Sequence, residues 1–176
     1  MSGPRHLVLI GLMGAGKTTV GRCCANELGR GFVDTDELVC ANAGMTIPEI
    51  FESEGEQRFR ARERAALADA VAAPEALVIA CGGGAMADPA NRRAVADTYV
   101  VWLDAPPEVL ARRVEGDGLG SRPLLAAGPT TATLTRLADA RRDAYTAAAD
   151  SVVVTADRSV ESVVADVLRR FEAASP

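Results

Sequence analysis

The stretch Gly11-Leu12-Met13-Gly14-Ala15-Gly16-Lys17-Thr18 constrains the fold of this chain more than any other part of it. It spells G-x-x-x-x-G-K-T, with the apolar run His6-Leu7-Val8-Leu9-Ile10 before it and the helix-favouring Thr19-Val20-Gly21-Arg22-Cys23-Cys24-Ala25 after it. A strand that feeds a glycine-rich loop and then a helix is the setting in which this spacing cradles a polyphosphate. Glycines let the backbone wrap closely around the anion, whose charge then meets successive N–H groups and a helix N-terminus. Lys17 is placed to reach the β- and γ-phosphates, and the Thr18 hydroxyl to ligate Mg²⁺. The plainer alternative is a glycine-rich turn that happens to precede a helix. With every fixed position and both flanks in place, the pattern predicts a nucleoside triphosphate site.

At 176 residues the chain has the length of one domain with a well-buried core. Hydrophobic residues make up 48% and aromatic ones only 4%, so that core rests on Val, Leu, Ile and Ala. No apolar run approaches the roughly 20 residues needed to cross a bilayer, which predicts no membrane partner. The start, Met1-Ser2-Gly3-Pro4-Arg5, has no secretory h-region, and a cytoplasmic location is expected. Cys23, Cys24, Cys40 and Cys81 show no C-x-x-C spacing, and the single His6 cannot complete a zinc set. Reduced, idle thiols are the expectation. A net charge of −5 argues against a nucleic-acid partner. A monomer is expected.

Strand-length apolar runs recur at Leu7–Ile10, Phe32–Val33, Leu77–Ala80, Tyr99–Leu103 and Val152–Val154, separated by segments of helical character. This β-α alternation predicts a parallel sheet covered on both faces. Two intervals are not simple crossovers. The segment Asp36 to Val71 is too long for one helix, with Pro48 in the first turn of one helix and Gly55 opening another. The segment Gly116-Asp117-Gly118-Leu119-Gly120-Ser121-Arg122-Pro123 reads as a mobile loop. Ligands of such sheets sit at the carboxyl ends of the strands. Gly11, Asp34 and Gly82 all fall there.

Several residues at those ends are suited to chemistry. Asp34 and Asp36 are two carboxylates at the end of strand two. One can serve Mg²⁺ beside Thr18 and the other can meet an acceptor hydroxyl. The plainer reading makes Asp36 a helix cap. Arg60 lies three residues from Glu63 and four from Glu56, which allows an ordinary surface ion pair or a planar fork for a substrate carboxylate. Gly82-Gly83-Gly84 after a buried strand suits a sharp turn with a close neighbour. Asp104 reads as the start of a helix ahead of Pro106. Arg122, in the mobile loop, can bring positive charge to the phosphoryl group in flight. Arg141 and Tyr145 are four apart on the helix before the last strand, where surface charge is the plain reading.

Taken in order, the loop Gly11–Thr18, Asp34-Thr35-Asp36, Gly55-Glu56-Gln57 with Phe59-Arg60 and Glu63, Gly82-Gly83-Gly84, Arg122-Pro123-Leu124-Leu125, and Arg141 ahead of Tyr145 resemble the shikimate kinase family over nearly the whole chain. The resemblance implies a three-layer α/β P-loop kinase fold, with a central parallel five-stranded sheet. It also implies a helical substrate-binding subdomain at about 36–71 and a mobile lid at about 116–127, all within one domain. It implies transfer of the ATP γ-phosphoryl group to the 3-hydroxyl of shikimate in aromatic amino-acid biosynthesis. Lys17, Asp36 and Arg122 would be catalytic. Gly14, Ala15, Gly16, Lys17, Thr18 and Thr19 would hold the nucleotide, with Arg122 over the phosphates and Arg158 beside the adenine. Asp36, Arg60, Glu63, Gly82, Gly83 and Arg141 would bind shikimate, and Thr18 and Asp34 would serve Mg²⁺. The chain departs from the family where Ser159-Val160 replaces a proline after the adenine-side arginine, and where Glu115 and Asp117 bring two acids to the lid.

Other readings make different predictions. A gluconate or nucleoside monophosphate kinase would keep the loop and lid without needing Asp36, Arg60, the glycines and Arg141 together. A GTP-dependent switch would carry an N-K-x-D stretch, which is missing, and its D-x-x-G would follow a strand rather than lie at Asp117–Gly120. A degenerate relative used only for binding would not need Lys17, Asp36 and Arg122.

Overall fold

The computed structural model describes residues 5–116 and 130–174. Strands β1 (Leu7–Ile10), β2 (Gly31–Asp34), β3 (Leu77–Ala80), β4 (Tyr99–Asp104) and β5 (Ser151–Val154) form one parallel sheet in the order β2-β3-β1-β4-β5. Every residue of β1 is buried, as expected of a central strand with helices on both faces and a continuous apolar run. The edge strand β5 alternates instead, with Val153 buried and Val152 and Val154 exposed. Two predicted strands have the expected bounds. The other three run one residue longer at one or both ends, because pairing continues past the apolar residues: Gly31 and Asp34 stay in register with Leu77 and Ala80.

Helices α1 (Lys17–Leu28), α2 (Thr35–Ala43), α3 (Ile47–Val71), α4 (Pro89–Ala94), α5 (Pro107–Gly116), α6 (Thr130–Ala148) and α7 (Val160–Ala173) fill the connections. Local sequence sets their ends. Thr46 and Glu49 form a capping box at the start of α3, with Pro48 in its first turn. Gly55 breaks the same helix with φ 82° and ψ 170°, so the predicted second helix does begin there. The Arg62 guanidinium grips Glu54 through two bonds of 2.9 and 2.8 Å and so braces the kink. None of the described helices is long and apolar enough to cross a membrane.

The main core gathers both faces of the sheet with α1, α5, α6 and α7, and Leu9, Ile79, Leu103, Leu134 and Val167 are among its fully buried members. Truncating such a residue, Leu9→Ala for example, costs about 2–5 kcal/mol. A smaller cluster of Val39, Ile50, Phe59 and Ala66 holds α2 against α3. Because the sheet is parallel, all strand ends face one way. The chain leaves β1 toward one edge and passes from β3 to β4 across it, which opens a crevice at the carboxyl end of β1.

Candidate active site

The loop after β1 is seated by close backbone contact and by Leu12 and Ala15, which are buried in the core. A Cβ at Gly11 would collide with the Leu103 carbonyl oxygen, and one at Gly14 would stand 2.9 Å from that of Leu110. Both residues have positive φ, so only glycine fits. Gly16 caps α1 without any side-chain acceptor, which leaves N–H groups at the helix start facing the cleft. The Lys17 ammonium donates to the Gly11 and Leu12 carbonyls, each at 2.9 Å. Burial pushes its pKa down to about 8, against the pull of Asp36 and Asp34.

Asp34 links three elements. Its Oδ2 accepts from Thr18 Oγ1 at 2.8 Å, and its Oδ1 accepts from the Asp36 N–H at 3.0 Å. Asp34 is therefore the cap of α2, and the plain reading of Asp36 as that cap is corrected. Asp36 lies in the first turn, with a buried Oδ1 that has no hydrogen-bond partner among the described residues. Burial pushes its pKa up to about 6, helped by Asp34 and Glu63 and opposed by Lys17 and Arg60.

The glycine turn after β3 explains itself through its neighbours. A Cβ at Gly82 would stand 2.6 Å from both Asp36 Oδ1 and Glu63 Oε1. One at Gly84 would stand 2.5 Å from Arg60 Nη1, and one at Gly83 3.3 Å from Arg141 Nη1. Each glycine thus makes room for a different charged group. Arg60 donates to Glu63 at 2.8 Å and reaches Glu56 at 3.4 Å. The ion pair that sequence alone could place on the surface is half inside the protein, because Glu63 is 2% exposed. Arg141 is buried as well, and its Nη1 has no hydrogen-bond partner among the described residues.

At the other end of the cleft, Arg113 donates to Thr155 Oγ1 at 2.9 Å, to the Thr155 carbonyl at 2.8 Å and to the Gly14 carbonyl at 3.2 Å. Arg158 spends its donors on Ser162, on the Val154 carbonyl and on Asp166. Ser159, in the Ser159-Val160 step that departs from the family pattern, caps α7 by accepting from the Ser162 N–H.

One cleft of about 660 Å³ collects Gly14, Ala15, Gly16, Lys17, Thr18, Thr19, Asp34, Asp36, Arg60, Glu63, Gly82, Gly83, Arg141 and Arg158. Arg122 and the rest of the expected lid from residue 117 on lie outside the described residues. Asp104 ends β4 in a separate depression with Leu12, Trp102 and Arg142. Sequence reasoning missed Arg113, and also Ile47 and Phe51, which form an apolar wall of the cleft with Phe59. Ile47 and Phe51 lie a helical turn apart just after a capping box, a spacing that marks one face of α3. The Arg112-Arg113 pair gives no sign of which residue turns inward.

Among the described residues no set of three or more His, Cys, Asp or Glu side chains could by itself hold a metal. The Thr18 hydroxyl and the Asp34 carboxylate are hard oxygen donors beside the phosphate loop. That pair fits a cation such as Mg²⁺, which keeps most of its ligands as water and phosphate oxygens.

The shikimate kinase family model matches residues 13–172. A shikimate kinase from Symbiobacterium thermophilum is 49% identical over 168 residues, covering 95% of this chain and 96% of the relative. The solved structure of a shikimate kinase from Acinetobacter baumannii, in complex with shikimate, superposes with a TM-score of 0.91 at 36% identity, over 96% of this chain and 93% of the other. A gluconokinase from Sinorhizobium meliloti superposes with a TM-score of 0.60 at 18% identity, over 98% and 97% of the two chains, a likeness of fold alone. The five-stranded parallel sheet, the phosphate loop and these matches agree: the chain belongs to the shikimate kinase family, whose members are ATP-dependent kinases.

Proposed function

We propose that this cleft transfers the γ-phosphoryl group of ATP to the 3-hydroxyl of shikimate, giving shikimate 3-phosphate and ADP in the shikimate pathway. One observation supports the reading most: an Asp36 carboxylate oxygen without a partner among the described residues shares a glycine-walled corner with Arg60 and Arg141, next to the phosphate loop. Two guanidinium groups suit one carboxylate, and a partnerless carboxylate suits a hydroxyl.

In this reading the N–H groups at the start of α1 and the Lys17 ammonium take the β- and γ-phosphates. Thr18 and Asp34 hold Mg²⁺, which when bound neutralises charge on those oxygens. Arg60, steadied by Glu63, and Arg141 orient the acceptor through its carboxylate, and the Gly82–Gly83 backbone lies against its ring. Asp36 Oδ1 accepts the proton of the acceptor hydroxyl as the new O–P bond forms and the bond to ADP breaks. Arg113 and Arg158 border the nucleotide base. Arg122 delivers charge from a lid at 116–127, so Arg122→Ala lowers kcat while ATP still binds. Helices α2 and α3, with their own small core, act as the substrate-binding subdomain of a single domain. In the same reading the protein works as a cytoplasmic monomer on small molecules.

Coupled ADP release in the presence of shikimate, of gluconate and of no acceptor tests the reading. Turnover with shikimate alone is expected. Turnover with gluconate, or equal turnover without an acceptor, overturns it.

A further inference from the structure

The glycine turn that separates Asp36, Arg60 and Arg141 is held from both sides by uncharged hydroxyls, one of them beside Arg141. The Gly82 N–H donates to Thr35 Oγ1 at 3.0 Å, and the Tyr145 hydroxyl donates to the Gly83 carbonyl at 2.5 Å. Thr35 is fully buried between the two acids of β2 and α2, and Tyr145 is buried on α6 one turn beyond Arg141. The Tyr145 ring is fixed in turn by Trp102 on β4, with centroids 5.4 Å apart.

We infer that Thr35 and Tyr145 are positioning residues of the phosphoryl transfer, pinning Gly82 and Gly83 so that the turn presents one surface to the acceptor. Three successive glycines are costly to order. Without side chains they lose more backbone freedom on folding than any other residues, and their peptide planes turn easily. Here the peptide plane entering Gly82 is held by its N–H and the plane leaving Gly83 by its carbonyl, so neither can rotate without leaving a polar group unpaired. The spacing to the charged groups depends on that. A Cβ built on Gly82 would stand 2.6 Å from Asp36 Oδ1 and Glu63 Oε1, and one on Gly83 3.3 Å from Arg141 Nη1, so the turn packs directly against these groups and its orientation sets their spacing. Burial raises the Tyr145 pKa to about 12, so its hydroxyl stays a donor across the working pH range. The two anchors come from opposite sides, Thr35 from the β2–α2 junction and Tyr145 from the helix that carries Arg141.

This inference rests on the proposed transfer to shikimate, and its test separates the two. Thr35→Val and Tyr145→Phe remove one hydroxyl each at nearly constant shape. In a wild-type protein that phosphorylates shikimate, each is expected to raise KM for shikimate about tenfold, with KM for ATP within twofold. Thr35→Ser, which restores the hydroxyl, returns KM for shikimate to near the wild-type value. Should Tyr145→Phe be too unstable to assay, the Thr35 pair carries the test. Unchanged shikimate KM in Thr35→Val overturns the inference, as does a parallel rise in both KM values without recovery in Thr35→Ser. Failure of the wild type itself to phosphorylate shikimate overturns the proposed function instead.

Discussion

Thr18 donates to Asp34 across 2.8 Å, joining the first turn of α1 to the end of β2 over the intervening strand β3. The bond ties the phosphate loop to the acid pair, and both partners are oxygen donors of the kind Mg²⁺ takes. Thr18→Ala is expected to raise the Mg²⁺ concentration needed for half-maximal rate about tenfold, with KM for shikimate nearly unchanged. A Mg²⁺ titration at saturating shikimate checks this. A change in shikimate KM alone would put the pair at the wrong ligand.

Asp36 sets a pH dependence whose sign follows from its surroundings. Its folded-state pKa of about 6 lies above the ordinary carboxylate value, chiefly through burial. The proton must leave before the carboxylate can accept another, so kcat/KM should rise with pH through about 6. It should fall above about 8, where Lys17 in the free enzyme loses its charge. Asp36→Asn should abolish the acid limb and move the alkaline one to lower pH, because the Asp36 charge helps keep Lys17 protonated.

The same shift has a consequence for stability. Below the unfolded-state value near 3.8, Asp36 is protonated in both states and carries no penalty. Between there and about 6 the unfolded state ionises first, so this group's contribution turns unfavourable as pH rises and stays so above. Asp36→Asn should therefore be more stable than the wild type at pH 7, by about 3 kcal/mol at most, and melt at a higher temperature, with most of the gap gone by pH 4. Thermal melts at the two pH values measure it.

Much of this was legible in the chain because the phosphate loop, the acid pair and the glycine turn each sit at a strand end, where local pattern and tertiary position coincide. The strand cores at Leu7–Ile10 and Leu77–Ala80 read directly as apolar runs. What could not be read was partnership across the sheet. That Asp34 rather than Asp36 caps α2 depends on the turn at the strand end and on Thr18, sixteen residues earlier. The burial of Glu63, the inward turn of Arg113 and the two anchors on the glycine turn are likewise long-range facts. Local periodicity carries no trace of them.

Gly84 offers a way to move Arg60 without touching it. A methyl group there would meet the Arg60 guanidinium, the far end of a flexible side chain, so Gly84→Ala should fold. It should raise KM for shikimate by about tenfold or more and leave ATP binding intact, as should Arg60→Lys and Arg141→Lys, which keep the charge but lose the fork. Steady-state kinetics in both substrates distinguish this from a shift in the nucleotide constant, which would place these residues on the wrong ligand.

The most direct test of the account is the single-turnover rate of phosphoryl transfer from ATP to shikimate in Asp36→Asn, followed by rapid quench. If Asp36 takes or orients the acceptor proton, that rate falls about 10²–10⁴-fold while binding of both substrates stays within a few-fold of wild type. An unchanged rate in the folded variant would contradict the assignment and leave Asp36 with no part in the chemical step.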